Sequence, residues 1–370
     1  MDQTFEIFVV ATPGLEDQLL DEVTAAGFPD PQLVAGGISF QGGWEDVWRA
    51  NLTLRGATRV LARIGSFMAF HLAQLDKRAR KFPWGDVLRS DVPVRVEVAT
   101  SKKSKIYHAG AATQRIEKAL KEDHGITISA EAEVAIKVRI DDNRVTISVD
   151  TSGESLHKRG HKEAVGKAPM RETLAALMLR ACGYDGTEPV VDPMCGSGTF
   201  LIEAAEIAAG LLPGRTRDFA FMQLASFDPA RWSILRLAGE TRTPAQHFHG
   251  NDRDEGAIRM ATANAARAGV AAAVTFTSGN ANDVQRPEGP AGLVICNPPY
   301  GARIGNQKML FGVYAGLGQM LKQQFSGWRV GIVTSDPALA QATGLPFKPK
   351  GPPIPHGGLK VWLFQTDPLP

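Results

Sequence analysis

Five consecutive residues, Asn297-Pro298-Pro299-Tyr300-Gly301, follow directly on the apolar run Gly292-Leu293-Val294-Ile295-Cys296. The combination is suited to holding a planar exocyclic amine beside an alkyl donor. Such an amine on a nucleobase is a poor nucleophile, because its lone pair is delocalised into the ring. An Asn side-chain oxygen and a carbonyl of the rigid Pro-Pro backbone can accept its two N–H groups and turn the lone pair outward, while the aromatic ring stacks on the base. The two prolines fix the backbone and remove two competing donors. A Pro-Pro turn that merely ends a strand is the plainer explanation, and three further motifs argue against it.

The first is Glu188-Pro189-Val190-Val191-Asp192-Pro193-Met194-Cys195-Gly196-Ser197-Gly198-Thr199, which runs on into apolar Phe200-Leu201-Ile202. It reads as a short buried strand, an acid at its tip, a glycine loop and a helix. Gly196 and Gly198 allow a tight turn and close backbone approach to a ligand. Neither the dinucleotide nor the phosphate-loop fingerprint is present, and an acid before the loop suits a cationic, amine-bearing ligand. The second is His249-Gly250-Asn251-Asp252-Arg253-Asp254, ahead of an Ala-rich helix over 257–268. Asp252 is the candidate for ribose hydroxyls, with Asp254 behind it; either could instead cap the helix. The third, after Val274-Thr275-Phe276, is Ser278-Gly279-Asn280-Ala281-Asn282-Asp283, a loop suited to an adenine ring.

In that order the motifs resemble the class I S-adenosylmethionine-dependent amino-methyltransferases. Three stretches narrow the resemblance to THUMP-domain RNA guanine-N2 methyltransferases: His157-Lys158-Arg159-Gly160 with Ala168-Pro169-Met170-Arg171-Glu172-Thr173-Leu174-Ala175, then Asp192 to Thr199, then Asn297 to Gly305. The resemblance implies S-adenosylmethionine as cofactor, held by Thr173, Asp192, Pro193, Met194, Cys195, Gly196, Ser197, Gly198, Thr199, Asp252, Arg253, Asn280, Ala281 and Asn297. Catalysis would fall to Asn297, Pro298, Pro299 and Tyr300. Two departures stand out. Asn280 occupies a place where the family often has Asp, which implies weaker cofactor binding at most. Pro355-His356-Gly357-Gly358 replaces a more usual Asn-Gly turn, in what is expected to be a peripheral hairpin.

The net charge of +2 conceals an uneven distribution. Residues 1–48 hold nine acids and no Lys or Arg, whereas 77–121 hold twelve Lys/Arg against four acids. The centre of the basic stretch is Lys77, Arg78, Arg80, Lys81, Phe82 and Trp84, followed by Lys102, Lys103, Lys105, Tyr107 and His108. Basic residues interleaved with aromatics suit a phosphate backbone and stacked bases. Lys158 and Arg159 extend the expected RNA-binding set into the linker, which also carries Lys162 and Lys167. A solvated basic helix face is the bland alternative; a downstream domain that must reach a nucleobase favours RNA.

The surrounding elements follow from periodicity. Residues 5–10 alternate as a strand, 14–26 read as a helix and 38–40 as a returning strand. Residues 92–99 alternate strictly, 109–122 are helical, and 132–140 with 144–149 form a hairpin turning at Asp141-Asp142-Asn143. The expected architecture is an α+β N-terminal region, ferredoxin-like over 1–65 and THUMP over 66–150, then a linker over 151–168. A doubly wound α/β Rossmann-like methyltransferase domain follows over 169–370, with Pro169 in a helix first turn. Residues 209–247, with Phe219, Phe221, Phe227 and Trp232, should form an extra helical element.

Three widely spaced cysteines (Cys182, Cys195, Cys296) give neither a disulfide framework nor a zinc site, and no metal is expected. Attack by Cys296 on a pyrimidine carbon is the lesser alternative. No secretory signal or 18-residue apolar run is visible, so a cytoplasmic enzyme without membrane contact is expected; the oligomeric state is left open, with a monomer favoured. The expected function is methyl transfer to guanine N2 in structured RNA, with ribosomal RNA of the large subunit ahead of transfer RNA. DNA adenine-N6 methylation, protein glutamine-N5 methylation and a non-catalytic RNA-binding role follow. DNA enzymes usually add a target-recognition insertion or tail, and a protein substrate gives little use to the 77–121 patch. A relict fold would not need Asp192, Gly196, Gly198 and Asn297 to Tyr300 together.

Overall fold

The structure, a computed structural model, describes residues 4–163, 170–301 and 307–370. Met1, Asp2, Gln3, Lys167, Ala168, Pro169 and the Ala302-Arg303-Ile304-Gly305 part of the third stretch therefore lie outside the described residues. Contacts divide the chain into two units, Met1–Ala11 with Leu20–Leu156 and Gly214–Ala238, and Thr12–Leu19 with His157–Pro213 and Gly239–Pro370. The N-terminal elements are β1 (Phe5–Val10), α1 (Glu16–Ala25), β2 (Gln32–Val34), β3 (Gly37–Gly42), α2 (Trp44–Thr53), β4 (Arg59–Met68), α3 (Leu72–Arg80), β5 (Val94–Thr100), α4 (Ala109–His124), β6 (Val134–Asp141) and β7 (Arg144–Asp150).

All seven strands make one sheet, ordered β2-β3-β1-β4-β7-β6-β5. The boundary expected at 65/66 falls inside β4, which pairs with β1 through Arg59–Arg63 and with β7 through Leu61–Met68. Segments 1–65 and 66–150 therefore share a sheet. β6 and β7 are joined at Asp142 and Asn143, both left-handed (φ 46° and 62°), as a two-residue turn that matches strand twist requires.

The second set begins with α5 (Glu172–Ala181), β8 (Val190–Asp192) and α6 (Thr199–Ala208). Residues 214–238 then belong to the first unit. They contain the expected extra helix, α7 (Pro229–Leu237), and pack rings against α2, with Trp48 and Phe221 at 6.0 Å and Phe221 and Trp232 at 5.0 Å. The remaining elements are β9 (Phe248–Asp252), α8 (Glu255–Ala268), β10 (Val274–Ser278), β11 (Leu293–Cys296), α9 (Gln307–Gln324), β12 (Arg329–Thr334), α10 (Pro337–Ala342), β13 (Ile354–His356) and β14 (Leu359–Gln365). Their sheet has the order β10-β9-β8-β11-β12-β14-β13, parallel from β10 to β12 and antiparallel beyond.

β11 is 0% exposed at all four residues, which is why it reads as an unbroken apolar run rather than an alternating one. Tyr314, Leu317 and Leu321 of α9 pack over it with Trp328 and Leu339. Strand order reverses between β8 and β11, and the carboxyl ends of strands at such a point are where open α/β sheets bind ligands. No described helix is long and apolar enough to cross a membrane.

Candidate active site

Two strand ends shape the glycine loop. Asp192, 2% exposed, accepts a hydrogen bond from Met194 N through Oδ1 at 3.0 Å. Asp252 accepts from Gly196 N through Oδ2 at 2.9 Å and from Asp254 N through Oδ1 at 3.0 Å. Asp254 caps α8, its Oδ1 taking Gly256 N at 2.7 Å, so Asp252 is left facing the loop. Burial, then the like charge of Asp252, pushes Asp192 well above the ordinary carboxylate range.

Both loop glycines are left-handed, for different reasons. A Cβ on Gly196 (φ +52°) would meet nothing within 4 Å, so that face of the loop is open. On Gly198 (φ +83°) it would lie 3.0 Å from Phe276 Cζ, so close packing adds to the backbone demand. Pro193, Cys195, Ser197, Thr199 and Thr173 are buried and Met194 half-buried, so the stretch presents mainly backbone. Arg253 is exposed.

Asn251 is a positioning residue that motif spacing alone left unassigned. Its amide donates to Pro193 O at 3.2 Å and to Gly279 O at 3.1 Å, and its backbone oxygen accepts from Cys195 N at 2.9 Å. One buried side chain thus ties the glycine, ribose and adenine loops together. In the last of these, Asn280 is exposed and its Oδ1 accepts from Asn282 N at 3.1 Å, with Ala281 buried beneath. The carboxamide oxygen expected to meet adenine already has one local partner.

Asn297, Pro298, Pro299 and Tyr300 follow β11 at its carboxyl end. Among the described residues, Asn297 Oδ1 and the Tyr300 hydroxyl are buried without hydrogen-bond partners. Burial raises the Tyr300 phenol to about 12; Asn297 beside it acts the other way, although the two groups stop short of hydrogen-bonding geometry. An unpaired buried acceptor is costly, by about 1–3 kcal/mol, and it is the group an amine donor would satisfy. Cys296 is fully buried and its thiol pushed well up by burial, which is unfavourable for a thiolate nucleophile.

The hairpin expected to be peripheral flanks this loop. A Cβ on Gly301 would lie 3.6 Å from Leu359 Cδ1, the first residue of β14. Gly357 and Gly358 (φ 58° and 82°) make the turn that Asn-Gly makes elsewhere, because both positions need the left-handed region.

The basic stretch divides on inspection. Lys77, Arg78, Lys81, Lys102, Lys103, Lys105, Tyr107 and His108 are exposed, Tyr107 by 67%. Arg78 lies over Phe67 (5.8 Å) and Lys105 over Phe70 (5.6 Å), so both halves of the stretch meet the 67–70 segment. Phe70, 42% exposed, is a candidate that charge pattern alone did not mark. Three expectations need correction. Arg80 is engaged by Asp76, Glu122 and Asp123 at 3.1, 2.9 and 2.6 Å, which leaves its charge little reach. Trp84 is 0% exposed, with its indole N–H donated to Ala79 O, and cannot stack on a base. Arg159, 2% exposed, pairs with Glu203 at 3.0 Å in the interior, whereas Lys158 is exposed.

Sheet order, the open glycine loop and the Asn-Pro-Pro-Tyr corner define a Rossmann-like methyltransferase. Residues 159–347 match the RMKL-like methyltransferase domain and 6–61 the RlmL ferredoxin-like domain, and the chain belongs to the RMKL-like methyltransferase family. The Aliivibrio salmonicida ribosomal RNA large subunit methyltransferase K/L is 36% identical over 88% of this chain and 48% of its own length. The chain thus spans about half the length of the curated relatives it matches. SMU.472, whose crystal structure was determined in complex with SAH, is 28% identical with TM-score 0.88 over 100% of both chains. A possible methylase from Clostridium difficile 630 is 30% identical with TM-score 0.87, over 100% of this chain and 99% of its own.

Proposed function

We propose that the protein transfers a methyl group from S-adenosylmethionine to the exocyclic N2 of a guanine in structured RNA of the large ribosomal subunit, in the cytoplasm. The observation that carries the reading is the pair of unpaired buried groups, Asn297 Oδ1 and Tyr300 OH, at the carboxyl end of β11. The cofactor fits the residues present: two carboxylates, Asp192 and Asp252, border the loop, and the charge acting on buried Asp192 is another negative one. An ammonium placed there would relieve both burial and repulsion. Backbone of 193–198 would line the cofactor, and Asp252 would take the ribose.

When bound, S-adenosylmethionine supplies an electrophilic methyl on a sulfonium. Asn297 Oδ1 and the Pro298 carbonyl orient the guanine amine and take up the charge that develops on its nitrogen. Tyr300 stacks on the base. The protein thereby contributes alignment and a polar clamp rather than a strong base. The surface around 67–70 and 102–108 would hold the RNA, within the region that the resemblance leads us to expect as THUMP. The name of the curated relatives supports ribosomal RNA over transfer RNA, DNA or a protein substrate.

The test is methyl transfer from labelled S-adenosylmethionine to large-subunit ribosomal RNA, transfer RNA and duplex DNA, followed by nucleoside analysis. N2-methylguanosine in ribosomal RNA is the expected product. Label in adenine, or in DNA alone, overturns the reading.

A further inference from the structure

The glycine loop is held by two side chains that the methyl-transfer scheme does not use. Asn264 of α8, 0% exposed, donates from Nδ2 to Ser197 O at 3.2 Å. Lys162, in the chain leading to α5, donates from Nζ to Thr199 Oγ1 at 2.9 Å. Thr199 follows Gly198 directly and opens α6. The same Nζ donates to Met170 O at 2.5 Å, just before α5, and lies 3.4 Å from Glu172 Oε1 in the first turn of α5. The Lys162 side chain is 9% exposed and that of Glu172 5%. A residue whose basic surroundings suggested RNA is therefore interior.

Lysine is almost never buried unless paired, and a buried pair is weak support for stability because desolvation offsets the attraction. Burial works against the Lys162 charge, and Glu172 works for it. An apolar side chain of similar length would avoid that cost, so the ammonium should serve something besides stability. A ligand is not the answer. The cavity that Lys162 and Glu172 line with Ser197, Glu203 and Asn264 measures about 10 Å³, room for one water at most, and Glu203 already pairs with Arg159 at 3.0 Å. What lysine offers is three donors on one atom, and here three acceptors converge on that atom from two chain segments.

Those segments are the two that the cofactor reading needs at a fixed spacing. One is the loop with Gly196 and Gly198; the other leads into Thr173, buried in the first turn of α5. Gly198 N donates to Cys195 O at 2.8 Å and Ile202 N to Gly198 O at 2.9 Å, so a displaced Thr199 passes its movement into the loop. We propose that Lys162 is a positioning residue for the methyl donor, locking Thr199, and with it Gly198, to the start of α5. The proposal rests on the methyltransferase reading above and adds to it a residue that touches neither donor nor base.

Kinetics of Lys162→Met, Thr199→Val, their double variant and Lys162→Arg, run well below each melting temperature, test this. Losing a charge-assisted hydrogen bond should raise KM for S-adenosylmethionine about tenfold or more in Lys162→Met. The kcat at saturating donor should stay within about twofold, the scale expected when only ground-state binding is lost. RNA affinity in a filter assay should be that of wild type. Because Lys162 acts through Thr199, the double variant should be no weaker than Lys162→Met alone. Arg keeps the charge opposite Glu172 but spreads its donors over a planar fork, so KM should rise in Lys162→Arg as well. An unchanged KM in Lys162→Met overturns the proposal, as do losses that multiply in the double variant. So does a lowered melting temperature with kcat, KM and RNA affinity all impaired together, which makes Lys162 a packing residue. Wild-type behaviour of Lys162→Arg would reduce the lysine to half of an ion pair and overturn the proposal equally. If Lys162→Met fails to fold, Lys162→Arg decides alone, by a raised or a normal KM. Wild-type protein that binds no S-adenosylmethionine would refute the methyltransferase reading, and the positioning role with it.

Discussion

Asp192 and Asp252 end adjacent parallel strands and grip one loop, Asp192 at Met194 N and Asp252 at Gly196 N. Each carboxylate fixes the loop backbone, yet burial, with the like charge of Asp252 added to it, makes Asp192 costly to ionise. A cation should therefore bind more tightly as pH rises, because it pairs with the ionised form. For the free protein the sign is opposite. A carboxyl whose folded pKa exceeds its unfolded value of about 4 costs no stability below that pH, and the penalty grows as pH climbs toward the folded value. Asp192→Asn should consequently melt at a higher temperature than wild type at neutral pH. It should also bind S-adenosylmethionine about 10- to 150-fold more weakly. Thermal unfolding and calorimetry on the same preparations check both; an Asn variant with wild-type affinity removes Asp192 from the cofactor site.

Asn297→Ala and Tyr300→Ala should separate chemistry from binding. Cofactor affinity should stay within a few-fold, while turnover on RNA falls by roughly a hundredfold or more, the scale of losing one preorganised charge-stabilising group. Tyr300→Phe removes only an unpaired buried hydroxyl, so it should not lower stability. Single-turnover rates with saturating RNA make the comparison; wild-type rates in both Ala variants would show that the amine clamp lies elsewhere.

The sequence made the catalytic half legible because its signals are local. β11 is buried on both faces, so its apolar run is continuous, and the glycine loop owes its shape to backbone angles that only Gly supplies freely. The strand β1 and the β6–β7 turn were legible from local signals too. What stayed hidden depends on long-range placement. Nothing in the order of residues says that β4 would carry both N-terminal segments into one sheet. Arg159 meets Glu203 across 44 positions, so its burial could not be read from a basic linker. Nor could three acids be seen to close on Arg80, two of them from the end of α4. The hairpin at 355–358 looked peripheral because Leu359, which follows its turn, is far in sequence from the Gly301 it meets.

The exposed basic and aromatic residues of the first unit should act through different terms. Lys102→Glu, Lys103→Glu and Lys105→Glu together should weaken RNA binding and flatten its log–log salt slope, by about 0.7–0.9 for each phosphate no longer neutralised. Phe70→Ala and Tyr107→Ala should instead weaken binding by about 1–3 kcal/mol per stacked base while leaving the slope unchanged. Salt titrations of RNA binding by the three proteins distinguish the effects. A slope unaltered by the triple variant would move the phosphate-binding surface elsewhere, with exposed Lys158 the next residue to test.

Arg159 gives the converse expectation. With 2% exposure and Glu203 at 3.0 Å, it is part of the interior of the second unit, and Glu206 lies at 3.8 Å. Arg159→Met keeps much of the volume but leaves two buried carboxylates short of a cation, which should cost about 3–5 kcal/mol of stability. The urea midpoint should fall accordingly. The salt slope of RNA binding, measured well below the melting temperature, should match wild type because a buried Arg159 neutralises no phosphate. A flatter slope with an unchanged urea midpoint would return Arg159 to the RNA surface.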